Sequence, residues 1–227
     1  MSRLLPGLTL LAAAALAAPA SLRVKASPAV APCVSTAAAA YERASGRRLV
    51  VETAALFDAA STDGADVVVA ADAELHRIIE GGATHPDQDV DVASIPWVLV
   101  GSGGTGGAGV IDAQSLGKAA TRVRVMGGVV GREASRALAL QGLDPSRVAR
   151  LREPMAPLRL EPGEAAVVPL SLAGTLPATR LDVPPLTARA LGVRASPRPD
   201  AIRAFLDFLK GETGNAAFRA CGRTDGR

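Results

Sequence analysis

The chain has 227 residues, 48% of them hydrophobic and 21% charged, with 25 basic side chains against 22 acidic ones. That length suits one large domain or two small lobes. Beyond the N-terminus the apolar runs are too short to span a membrane and too frequent for a disordered chain. Charge close to balance, scattered arginines, and one Trp, one Tyr and four Phe speak against a nucleic-acid surface, which needs a basic stripe and rings on which bases can stack.

Residues 1–20 read as an address. Arg3 precedes an apolar run from Leu4 to Ala18, and Ala18-Pro19-Ala20 supplies the small residues of a cleavage site. The run is shorter than the roughly 20 residues of a spanning helix, although an uncleaved anchor is the alternative. No Cys follows the run to receive a lipid. The expected mature chain starts at Ser21 and works in the periplasm or outside the cell. In such a compartment Cys33 and Cys221 can pair, the other possibility being two separate thiols.

Along the mature chain, Ser21 to Ala26 alternates like a strand. An Ala-rich helix over 34–45 follows, with Gly46 as its left-handed cap. Its start is open: Ser27 could cap it with Pro28 in the first turn, or Pro32 could occupy that turn. Arg48 to Thr53 is β-branched, and Val67 to Ala71 is a continuous apolar run of the kind buried on both faces. The pattern predicts a helix over 74–80 ending at Gly81-Gly82, a polar connection over 84–91, a strand over 95–100 and a glycine-dense connector over 101–109. A second cycle has a strand over 122–126, a helix over 132–141 and a strand over 165–170. After Pro184-Pro185 come an extended stretch, 186–191, and an amphipathic helix from Asp200 carrying Ile202, Phe205, Leu206, Phe208 and Leu209 on one face. Alternating strands and helices imply an α/β fold with mostly parallel sheets.

Enzyme signatures are weak. The stretch from Gly101 to Gly107 lacks the Lys of a phosphate loop, and no nucleophile elbow is present. A hydrolytic site would have to use His76 with Asp66 and Asp72. His85 lies among Asp87, Asp89 and Asp91 without the Gly and terminal Glu of a calcium loop. No metal and no cofactor are implied. In a parallel α/β sheet, ligands sit beyond the carboxyl ends of the strands, where helix N-termini favour anions. Three junctions fit: Ala26-Ser27-Pro28, Thr53-Ala54-Ala55 and Val129-Val130-Gly131.

Ala26-Ser27, the helix ending Ala-Tyr-Glu-Arg-Ala-Ser-Gly (40–46), the Val-rich strand after it, the run Ala-Asp-Val-Val-Val-Ala-Ala-Asp (65–72) and the closing segment 201–211 together resemble periplasmic substrate-binding proteins of the molybdate-binding type. The resemblance implies a two-lobed periplasmic-binding fold. Lobe I would comprise 21–100 and 181–227, and lobe II 101–180. It also implies a monomer that closes by hinge motion on an oxyanion such as molybdate and passes it to an ABC permease. Ser27 then matches the first ligand serine, with Pro28 beside it. Thr53 or Ala54 falls near the second serine, and Val130, followed by Gly131, at the second-lobe amide contact. The usual late tyrosine has no counterpart: Val168-Pro169-Leu170-Ser171 stands there, and Tyr41 lies on the first helix. The altered ligand turns leave a second expectation open, a sensor or accessory protein without a transport role.

Overall fold

A computed structural model of the chain describes residues 21–54, 57–101, 110, 111, 115, 116, 118, 120, 122–150, 160–174 and 176–221. The expected signal segment, the connector after Gly101 and Ala55 lie outside the described residues. The chain runs β1 (Leu22–Ala26), α1 (Ala31–Ser45), β2 (Leu49–Thr53), a single helical turn (Ala59–Thr62), β3 (Val67–Ala71), α2 (Asp72–Glu80), β4 (Thr84–Ile95) and β5 (Trp97–Gly101). It continues through β6 (Val110–Ile111), β7 (Arg122–Val125), α3 (Gly128–Leu140), β8 (Val148–Arg150), β9 (Glu164–Pro169), α4 (Leu170–Ala173), β10 (Ala178–Leu181), β11 (Leu186–Val193), α5 (Pro199–Lys210) and α6 (Glu212–Ala220).

These strands form two sheets, ordered β2-β1-β3-β11-β4 and β6-β10-β5-β9-β7-β8. In the first sheet β1 lies between β2 and β3, parallel to both, and β11 returns antiparallel between β3 and β4. In the second, β7 is parallel to β8 and β9, while β5 runs antiparallel to β9 and β10. The fold is therefore mixed α/β with two sheets flanked by helices. The boundary between the sheets differs from the one read in the sequence. The stretch expected to end the first sheet pairs in the second, Trp97 facing Pro169 and Val98 facing Val168, so the outward crossing falls at Pro96. The return crossing falls between Leu181 and Leu186, across Pro184-Pro185.

The all-apolar β3 is buried throughout because both of its faces are covered. Val67, Val69 and Ala71 join the apolar core that runs through both sheets, whereas Val68 and Ala70 pack with Leu75 and Ile78 under α2. Helix α1 ends as its sequence requires, at Gly46 with φ of 68°. Its start settles on the later alternative, with Val30 as N-cap and Pro32 in the first turn; the Ser27 side chain caps nothing, although the Ser27 carbonyl accepts the Val30 and Ala31 amides at 3.0 and 2.9 Å. The expected polar connection over 84–91 is instead the first part of the long strand β4. Its charges stand on the exposed side and are matched by Arg189 of β11, which bonds Asp89 and also lies 3.5 Å from Asp91. Helix α5 buries Ile202, Phe205, Leu206 and Leu209 as its periodicity demands. Tyr41 meets Phe205 and Phe208 edge-on, with ring centroids 5.2 and 5.3 Å away, so the one tyrosine is a core residue.

Two ties fasten the C-terminal segment to the first sheet. Asp66, buried at the start of β3, accepts the Arg23 amide, the Ser196 hydroxyl at 2.5 Å and the Arg198 guanidinium at 2.8 Å. Cys33 in α1 and Cys221 after α6 are bridged, their Cα atoms 4.8 Å apart. The bridge closes 188 residues, which in the chain-entropy picture stabilises the fold by about 5 kcal/mol. Thiol titration of the denatured, oxidised protein is expected to find no free cysteine. Reduction or Cys221→Ser is expected to lower Tm markedly; two titratable thiols in the unreduced protein would refute the bridge.

Candidate functional site

Parallel pairing of β1 with β2 and β3 brings three strand ends to one edge of the first sheet. Ala26 is in register with Thr53 on one side and with Val69 on the other. The Ser27 N–H is spent on the Val69 carbonyl at 2.9 Å, and the Ala54 N–H on the Ala26 carbonyl at 3.0 Å. Ser27 therefore brings its hydroxyl to this edge and Ala54 has no free amide. Thr53 is exposed there, and Pro28 is buried in the turn that follows Ser27. The Ser27 side chain is fully buried, and its Oγ has no partner in hydrogen-bonding geometry. Leaving a buried hydroxyl unpaired costs about 1–3 kcal/mol, so this oxygen stands out as a group kept for something else.

Sequence reasoning gave no role to Glu74. Helix α2 starts two residues earlier than expected, at Asp72, which puts Glu74 in its first turn. One Glu74 oxygen accepts the Ala71 N–H at 3.2 Å, capping the helix from within. Burial pushes the Glu74 carboxyl above its ordinary pKa. The Ala71 amide pulls it partly back. A local helix reading cannot find this residue, because its burial is made by the sheet.

The second-sheet residues arrive by a different route. Gly127 and Gly128, which follow the expected strand, form the N-cap and first residue of α3, so the helix begins four residues before the expected Arg132. Val130 and Gly131 thus lie in its first turn, where backbone N–H groups lack intrahelical acceptors. The Val130 side chain is buried in the core. Gly131 has a packing reason of its own, since a Cβ there would collide with the Met126 carbonyl. The two halves meet where the late tyrosine was missed. Ser171, at the start of α4, donates its hydroxyl to the Ala29 carbonyl at 2.5 Å, and the Leu170 amide donates to Pro96 at 2.8 Å. Ser171 therefore joins the second sheet to the turn that follows Ser27.

The hydrolytic cluster does not assemble. Asp66 sits at the opposite end of β3 from Asp72 and is engaged by Arg198, while Asp72 pairs with Arg189 at 2.6 Å. His76 is 75% exposed and faces only Glu80, at 3.1 Å. Among the described residues no group of three His, Cys, Asp or Glu side chains is placed to hold a metal ion. A cavity of about 570 Å³ opens beside the crossings, lined by Trp97, Pro184 and Pro185 with Asp72, Glu133 and Arg136; none of the expected ligand residues lines it.

Glu74 carries a consequence for stability. Its folded pKa lies above the unfolded value, so its ionisation costs nothing below the usual glutamate range and progressively more as pH rises through the folded value. Glu74→Gln is expected to raise Tm at neutral and alkaline pH and to lose that advantage in acid. Thermal melts of both proteins across pH check this, and a difference that does not vary with pH would contradict it.

Residues 22–224 match the model of a family described as bacterial extracellular solute-binding proteins. No curated protein matches the sequence. Among solved structures, the periplasmic molybdate-binding protein of Azotobacter vinelandii is similar with a TM-score of 0.71 at 15% identity, over 89% of this chain and 98% of that one. The sulfate-binding protein SubI of Mycobacterium tuberculosis follows at 0.61 and 15%, over 89% and 85% of the two chains. Iron-bound HitA of Pseudomonas aeruginosa gives 0.62 and 14%, over 89% and 84%. At such identities the likeness carries the two-lobed fold alone. The family model spans almost the whole described chain, and the chain belongs to the bacterial extracellular solute-binding protein family.

Proposed function

We propose that this protein is the exported substrate-binding component of an ABC-type importer. In this reading it acts as a monomer, closes its two sheets on a small anion of the tetrahedral oxyanion class and hands that anion to a membrane permease. The observation that carries the reading is the Ser27 hydroxyl, fully buried and unpartnered at the carboxyl edge of the first sheet. Ligands of open α/β sheets bind at such edges. Thr53 stands in register on the neighbouring strand end, and the first turn of α3 supplies free amides at Gly128, Val129 and Val130. Molybdate and sulfate, the solutes named for two of the structural relatives, belong to the same chemical class. The crossings at Pro96 and Pro184-Pro185 would serve as the hinge, with Ser171 and Ala29 as a contact across it.

One observation favours a second reading. The Ser27 and Ala54 amides are already engaged within the sheet, which leaves fewer donors than the resemblance implied. A periplasmic sensor or accessory protein without a transport role would tolerate that loss.

Isothermal titration with molybdate, tungstate, sulfate, phosphate and arsenate tests the proposal. At least one of these anions is expected to bind, and Ser27→Ala to weaken that binding by about 1–3 kcal/mol while the fold persists. Unchanged affinity in Ser27→Ala would remove this hydroxyl from the site. Absence of binding across the series would defeat the anion reading.

A further inference from the structure

We propose that Ser171 is the positioning residue that gates the Ser27 edge: its hydroxyl, bonded to the Ala29 carbonyl, latches the two halves shut over the site, and an anion enters or leaves when that bond opens. The inference rests on the reading of the Ser27 edge as the binding site and assigns that site its gate.

The turn that carries Ser27 is sealed. Ser27, Pro28, Ala29, Val30 and Ala31 are all buried, and Ser27 itself is 0% exposed. An anion cannot reach a hydroxyl with no open surface, so binding there requires the halves to part. Within the turn the Ser27 carbonyl takes the Val30 and Ala31 amides, which fixes the shape of the turn without covering it. From the second sheet, Ser171 at the start of α4 donates its hydroxyl to Ala29, two residues past Ser27, at 2.5 Å. Among the described residues no backbone amide takes the Ala29 carbonyl, so this hydroxyl satisfies a buried acceptor that the turn leaves unpaired.

Position makes the bond a switch. The Leu170 amide is held by the Pro96 carbonyl at 2.8 Å, so α4 is pivoted at the outward crossing between the sheets. Ser171 is the next residue, and its bond spans the two halves. A displacement of about 1 Å takes such a bond to the limit of hydrogen-bonding range. The apolar core that the halves share is non-directional and is lost only in proportion to the area exposed. Both partners of the latch belong to the protein, so the bond favours the closed arrangement with or without an anion. Its loss raises the population of the open arrangement.

Alkylation of a thiol placed at the sealed hydroxyl reads the gate without any anion. Cys33 and Cys221 are bridged, so in the exported chain Ser27→Cys offers iodoacetamide its one free thiol. Val68→Cys, buried under α2, offers one that reports global unfolding. Ser27→Cys is expected to react roughly tenfold or more faster than Val68→Cys, because parting the halves costs less than unfolding the chain. Equal rates would mean that the edge opens only by unfolding and would overturn the gate. Adding Ser171→Ala is expected to speed alkylation of Ser27→Cys by roughly three- to tenfold, the worth of one buried hydrogen bond. A bond broken only by global unfolding would instead speed Val68→Cys and leave Ser27→Cys unchanged, which would also overturn the proposal. The comparison of Ser27→Cys with Val68→Cys decides even where Ser171→Ala folds poorly. If no anion of the titration series binds, the anion reading fails, while these rates still decide the gate.

Discussion

The parallel register of β1 between β2 and β3 is the constraint on which the site depends. Parallel strands end on the same side, so Ala26, Thr53 and Val69 come together at one edge although they are far apart in sequence. Hydrogen bonds continue past the strand ends, Ser27 to Val69 and Ala54 to Ala26, and they decide which groups remain for chemistry. The amides are consumed and the Ser27 hydroxyl is left. A one-residue slip of β1 would turn Val24 and Ala26 out of the core and bring Lys25 in, so the apolar pattern of β1 and the placing of the Ser27 turn are one requirement.

Around that edge the chain is closed by contacts of long sequence separation. The Asp66 carboxylate gathers the N-terminal strand, the turn after β11 and the start of α5, and the Cys33–Cys221 bridge fastens the last helix to the first. These ties lie in the half of the molecule built from both chain ends. The second sheet instead hangs between two crossings, with Glu164 buried beside Arg124 as its internal anchor. The Glu161 amide and the Arg124 guanidinium hold the Glu164 carboxyl below its ordinary range. The two halves are joined by two chain crossings, by the Ser171–Ala29 hydrogen bond and by the apolar core they share.

Legibility followed the range of the determining contacts. The strand over Val67 to Ala71, the cap at Gly46 and the apolar face of α5 were readable because each is specified by its own residues. β4 was misread because Asp87, Asp89 and Asp91 look like a loop until Arg189 is placed beside two of them by a strand about 100 residues later. The start of α3 was placed at Arg132, whereas the helix begins at Gly128 after the extended Gly127 cap. Of the expected site residues, Ser27 and Thr53 come to one edge of the first sheet. The Ala54 amide was lost to the sheet, and Ser171 went unrecognised because its partner, Ala29, lies 142 residues away.

Glu74 shows why a local reading stops short of function. As a helix residue it is unremarkable: a first-turn glutamate that accepts its own N-cap amide is favoured by any helix. Only the sheet buries it, and there the local benefit is opposed by the cost of burying its charge. A neutral side chain would relieve that cost, and a hydrogen-bonded hydroxyl would be cheaper than the unpartnered one at Ser27. Two groups, each less stable than a simple substitute, depart from local consistency at the carboxyl edge of the first sheet. Departures of that kind concentrate where a protein gives up stability for binding.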